Sequence, residues 1–185
     1  MSRNATSLNQ SLIVTYKSSN LTLAEVGPFL TNLDKCINTY AVALVISRSK
    51  YRTFFKEKPS TGFISTKITH LENGSVIVAV ALYYTAKYPI AAGALTGLSY
   101  FFVKDFGKRV IDKVLNGTPI IGKFSKLGRG VKPVTAPPIS GPAAKAFYDA
   151  VDKVLAEMGK VDGPCEFTIE DKNSGLSFKG RKGTL

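Results

Sequence analysis

Residues 75–103 (SVIVAVALYYTAKYPIAAGALTGLSYFFV) form the longest apolar stretch of the chain, and Lys87 is its one charge. A run like this belongs in a protein core, in an interface between copies, or in a bilayer. A spanning helix needs about 20 apolar residues, whereas 88–103 supplies 16 uncharged residues and 75–86 supplies 12. Joining both into one helix would place Lys87 near the bilayer centre, at roughly 2.5 to 3.5 kcal/mol. The stretch therefore reads as two elements that meet near Lys87.

The first element is a strand over 76–84. Its two alternating faces, Val76, Val78, Val80 and Leu82 against Ile77, Ala79, Ala81 and Tyr83, are both apolar, as in a strand covered on both sides. It returns from an alternating strand over 63–71 through Asn73-Gly74, a pair suited to the positive φ angles of a tight hairpin. The second element is a helix that starts at Pro89, runs through Leu98, Phe102, Phe106 and Val110, and stops at Asn116-Gly117. Gly93 and Gly97 form a small-residue step in its apolar half, where another backbone can approach closely. With Tyr100 and Phe101 they mark an expected oligomer interface, and a membrane interface is the alternative because tyrosines also stand at 83, 84 and 88.

The flanking sequence completes an α+β fold. Leu12 to Tyr16 is rich in β-branched and aromatic residues and predicts a first strand. Thr22 followed by Glu25 fits a capping box, and apolar residues then recur at helical spacing to about Ile46. Pro28 predicts either a kink or a fresh start at Gly27-Pro28. The expected order is β-α-β-β-α over 1–116, a Gly/Pro-rich basic loop or linker over 117–141, and a helix plus a β-hairpin over 142–185. In the last part Ala144, Phe147, Val151, Val154, Leu155 and Met158 share one helix face. Its hairpin is expected over 165–170 and 176–179, with the end of the chain frayed.

Charge suggests a partner. The chain carries 25 Lys plus Arg against 13 Asp plus Glu, a net +12, which favours polyanions through many additive phosphate contacts. Arg48, Lys50, Arg52 and Lys56, interleaved with Tyr51, Phe54 and Phe55, have the composition of a backbone clamp with stacking aromatics. Lys104, Lys108 and Arg109 on the second helix, and Lys123, Lys126 and Arg129 in the glycine-rich loop, extend the candidate nucleic-acid-binding set.

Chemistry is less in evidence. Cys36 and Cys165 lack companions at metal-ligand or disulfide-framework spacing. Gly117 to Lys123 matches a phosphate-binding loop up to its lysine, but Phe124 stands where a magnesium-holding Ser or Thr belongs. His70, the single histidine, has no nucleophile and acid placed beside it by any motif. Asp149 and Asp152 have Lys145 and Lys153 as helix-surface partners. No metal or cofactor is expected. The polar first ten residues lack a signal-peptide core and point to a cytoplasmic protein. The sequence thus leads to a non-enzymatic, self-associating binding protein with basic surfaces for nucleic acid; the alternative is a membrane-associated protein that inserts residues 75–103.

Overall fold

The computed structural model describes residues 10–18, 22–47, 64–68, 76–84, 97–114, 116–125, 127, 129–133, 135 and 138–183; over 64–68 and 76–84 it describes the backbone. The fold is α+β. Strand β1 (Gln10–Ser18) leads into helix α1 (Leu23–Ser47), then β2 (Ile64–Ile68), β3 (Val76–Tyr84), α2 (Leu98–Val114), β4 (Ile120–Phe124), α3 (Gly141–Lys160), β5 (Cys165–Asp171) and β6 (Ser177–Lys182). The strands form one antiparallel sheet of order β2-β3-β1-β5-β6-β4.

Strand β1 is the centre of that sheet. It pairs with β3 on one side, Val14 opposite Val78, and with β5 on the other, Val14 opposite Ile169. The N-terminal and C-terminal parts of the chain therefore share one sheet. The 117–141 stretch, expected as a loop or linker, contains the edge strand β4, paired with β6 from Ile120 opposite Lys182 to Phe124 opposite Phe178. The sheet order also shows a topological repeat. In β1-α1-β2-β3 and again in β4-α3-β5-β6, the last strand lies between the other two.

Local chemistry sets the element ends. The Thr22 backbone N–H (2.8 Å) and hydroxyl (2.9 Å) both donate to the Glu25 carboxylate, which forms one half of the expected capping box, while the Glu25 N–H donates to the Thr22 carbonyl. Helix α1 then runs unbroken through Pro28, so the alternative start at Gly27-Pro28 is not used. Helix α2 begins after Gly97, whose φ of 79° is left-handed, and Phe101 N–H donates to the Gly97 carbonyl. It stops as expected at Asn116-Gly117, where Gly117 takes φ 85° and the Thr118 N–H reaches back to the Lys113 carbonyl. Helix α3 continues one residue past Gly159, and the Lys182 ammonium on β6 donates to its terminal carbonyls at Gly159 (2.9 Å) and Val161 (2.6 Å). The C-terminal residues to Lys182 are thus strand, where fraying was expected from Gly180 onward.

All three described helices pack on one face of the sheet. Leu12, Val14 and Tyr16 of β1, Phe167 and Ile169 of β5, and Phe178 of β6 point into that layer and are almost fully buried. Tyr16 stacks on Phe29 of α1 with ring centroids 4.4 Å apart, and Phe106 of α2 meets Phe167 edge-on at 5.9 Å. Tyr40 of α1 contacts Phe102 of α2 (5.6 Å) and Phe147 of α3 (4.7 Å), so one aromatic cluster ties the helices together. The six α3 residues expected on one face are its six buried residues.

Glycines make room for these rings. A Cβ on Gly180 would lie 2.3 Å from the Phe167 ring, and one on Gly122 would lie 2.1 Å from Phe178. Gly122→Ala is expected to lower unfolding stability by about 1 to 3 kcal/mol through overpacking. Gly159→Ala, with open space at its Cβ and a helical backbone, is expected to raise it by up to about 1 kcal/mol. Urea unfolding of both variants checks the two signs.

Candidate functional site

Because the helices take one face, the alternate residues of β1, β5, β6 and β4 stand on the other. Their register arranges them in rows. Lys17, Glu166, Arg181 and Ile121 form one, and Thr15, Thr168, Lys179 and Lys123 the next. Ile13, Glu170 and Ser177 begin a third, which Ser125 extends through its hydroxyl, 2.9 Å from the Ser177 N–H. No described helix crosses these rows.

The rows carry four cations, Lys17, Lys123, Lys179 and Arg181, against the carboxylates Glu166 and Glu170, a net of +2 (4 − 2). The Lys179 ammonium lies 2.7 Å from Glu166, whose side chain is only 13% exposed, so this pair organises the middle of the face. Lys17, Lys123 and Arg181 are exposed and form no ion pair among the described residues. A shallow groove of about 200 Å³ lies beside Lys123 and Arg181, lined by Ile121, Gly122, Lys123, Glu166, Lys179 and Arg181. Its floor is strand backbone and its rim is cationic. That arrangement can place several donors along an extended anion, but it encloses nothing.

Of the residues expected to touch nucleic acid, Lys123 lies on this face. Arg129 is exposed in the segment after β4. Lys104, Lys108 and Arg109 belong to α2, in the helix layer on the opposite side of the sheet. Arg109 is already engaged: its Nε and Nη2 donate to the two Asp152 oxygens at 3.1 and 2.7 Å, and its guanidinium sits 5.2 Å from the Tyr148 ring centroid. Arg48, Lys50, Tyr51, Arg52, Phe54, Phe55, Lys56, Lys126, Gly93 and His70 lie outside the described residues. Gly97 precedes α2 and is not inside a helix. Tyr100 and Phe101, expected at an interface, are 6% and 3% exposed and are covered within the chain.

Lys17, Lys179 and Arg181 were not expected, although the sequence carried a signal. The segments EFTIED and SFKGRK alternate between inward Phe, Ile or Gly and outward polar residues, which is the period of a half-buried strand.

A second concave region of about 170 Å³ lies on the helix layer, lined by Asp105, Lys108, Arg109, Asp112, Pro138, Ile139 and Tyr148. Two of its charged groups, Asp105 and Arg109, are engaged by residues outside the lining. The Tyr40 hydroxyl donates to Asp105 at 2.7 Å, and Asp152 receives Lys113 (2.8 Å) as well as Arg109. Asp152 thus pairs across to α2, not with Lys145 or Lys153 along its own helix as the sequence suggested. Partial burial and the Asp105 charge push the Tyr148 hydroxyl up, while Arg109 pulls it down. Burial also raises both thiols, so Cys36 and Cys165 are held protonated inside the core. Among the described residues, no three His, Cys, Asp or Glu side chains gather to hold a metal.

No family model matches the chain, and neither the curated proteins nor the solved structures contain a match to it.

Partial burial would raise the Asp152 carboxyl, but hydrogen bonds from Arg109 and Lys113 outweigh it and hold the group below its ordinary range. A depressed folded-state value stabilises the fold above the unfolded value, about 3.9, and the benefit disappears as pH falls through the folded one. Asp152→Asn is expected to cost about 1 to 2 kcal/mol at neutral pH, with the gap from wild type closing in acid. Denaturant titrations at neutral and acidic pH measure it.

Proposed function

We propose that this protein is a non-enzymatic nucleic-acid-binding protein that contacts the phosphate backbone with the open face of its sheet. The observation that carries this reading is the row arrangement of Lys17, Lys123, Lys179 and Arg181, the last three of which line the groove on β4, β6 and β5. Antiparallel neighbours stand roughly 5 Å apart. Lys123 and Lys179 on adjoining strands are thus set about 5 Å apart, and Lys17 and Arg181, two strands apart, about 10 Å. Their long side chains can reach different phosphates of one backbone. The net charge of +12 adds long-range attraction for the same partner.

Two features favour a backbone over other ligands. A groove of about 200 Å³ is smaller than the roughly 300 to 1,000 Å³ of sites that engulf small molecules. Ile121 is the one large apolar side chain strongly exposed on this face among the described residues, and one such residue gives little hold on lipid. No described helix is long and apolar enough to cross a membrane. The face presents no described aromatic ring for base stacking, so the expected recognition is independent of sequence.

The double variant Lys123→Glu/Arg181→Glu is expected to weaken binding of a short duplex at least tenfold at about 50 mM salt, and to flatten the salt dependence by about two phosphate contacts. Lys145→Glu/Lys153→Glu on α3, with the same change in net charge, is expected to leave most of the affinity. Fluorescence anisotropy across a salt series reads both. Equal losses in the two variants, or no binding by the wild type at low salt, would remove the proposal.

A further inference from the structure

Strand β4 ends the sheet, and no described strand pairs with its outer side. The direction of its backbone groups follows from the ladder. The Ser125 N–H donates to the Ser177 carbonyl at 2.8 Å, in line with the β4 to β6 register. In an antiparallel pair, alternate residues bond to the neighbour and the others face away. Lys123 and Ile121 therefore bond toward β6, and the N–H and C=O groups of Gly122 and Phe124 face the open edge.

The same edge collects the exposed apolar side chains. Ile121 (62%) and Ile111 (37%) are the large hydrophobic residues exposed among those described. Ile121 projects from β4 on the open face. Ile111 lies on the helix side, one turn after Gly107, which abuts Phe124 and Phe178. Arg109 and Lys113 point from α2 toward α3, and at 100° per residue Ile111 lies on the opposite flank of that helix, above the β4 edge. Unpaired backbone groups thus have an apolar side chain above and below them, with Lys123 and Arg181 beside Ile121.

From this we infer that the edge of β4 accepts an extended, acidic and apolar segment of a partner protein as a seventh strand. The partner's inward side chains cover Ile111, and its outward ones place an apolar group by Ile121 and a carboxylate by Lys123. Backbone bonds supply affinity, and the alternate side chains supply selectivity. A second copy of β4 fits less well. Antiparallel self-pairing about Gly122 sets Ile121 against Lys123 twice, and it joins two chains that each carry +12. This inference does not rest on nucleic-acid binding, since the unpaired backbone of the strand edge carries it, although Lys123 belongs to both surfaces.

The test uses the full-length protein and a short acetylated peptide of alternating Val and Glu, beside a twin N-methylated at every second residue. The twin keeps charge and side chains but loses the donors a strand needs. The expected result is saturable binding of the parent, at least tenfold weaker binding of the twin, and loss of parent binding in Ile121→Glu, an exposed position. Hydrogen exchange is expected to slow at the Gly122 and Phe124 amides when the parent binds. Equal affinity for the two peptides would show plain charge attraction and overturn the inference, as would no binding at all. Protection of the same amides in a dimer without peptide, or by duplex DNA, would assign the edge to a second copy or to nucleic acid and overturn it too.

Discussion

The two hydrogen-bond ladders of β1 hold the molecule together. One joins β1 to β3, 60 to 72 positions along the chain, and the other joins it to β5, 147 to 159 positions away. Contacts this distant in sequence are costly to close, because loop entropy is lost before any packing is gained. The gain comes from the inward residues of β1. Leu12, Val14 and Tyr16 are each 0 to 1% exposed, and at about 25 cal/mol per Å² their burial contributes several kcal/mol. The Tyr16 hydroxyl is raised far above its ordinary range, by burial first and by the adjacent Cys165 next, so it remains a neutral part of the core.

From that strand the two faces of the sheet acquire opposite characters. The inner face is built from aromatic rings that need empty space opposite them, and Gly107, Gly122 and Gly180 leave it. The outer face inherits the complementary positions, which over β5, β6 and β4 are mostly Lys, Arg, Glu, Thr and Ser with Ile121 among them, while Ile13 and the β3 positions 77, 79 and 81 make its other half apolar. An antiparallel sheet commonly packs one face on the core and leaves the other to solvent, and the described helices all lie on one side of this one. In a chain with net charge +12 the β5, β6 and β4 half of that open side is cationic, so the proposed binding face follows from the same alternation that builds the core.

The periodic parts of this fold were legible in the sequence. Six apolar residues at helical spacing gave the buried face of α3, the Thr22 and Glu25 pair gave the start of α1, and Asn116-Gly117 gave the end of α2. Strand β4 was hidden because the middle one of its inward positions is Gly122 and the outward Ile121 is apolar, which breaks the hydrophobic alternation of Ile120 and Phe124; the missing side chain is supplied by Phe178 from β6. Lys179 and Arg181 were obscured in the same way by Gly180, whose empty site is filled by Phe167. The β1 to β5 pairing left no local trace, and without it the outward cations of separate segments could not be seen to share a surface. Arg109 misled for the opposite reason. Its composition suggested a phosphate ligand, while the fold brings Asp152 to it from a helix 43 positions away.

The central claim is that the open sheet face, and not the helix layer, meets the polyanion. Nuclear magnetic resonance of labelled protein titrated with a short DNA duplex at low salt addresses it most directly. The expected result is a set of shift changes that cross the strands, at Lys17, Lys123, Lys179, Arg181 and their row neighbours, with the amides of α2 and α3 unmoved. Changes confined to Lys104, Lys108 and the helix layer, or none anywhere on the sheet, would contradict the account.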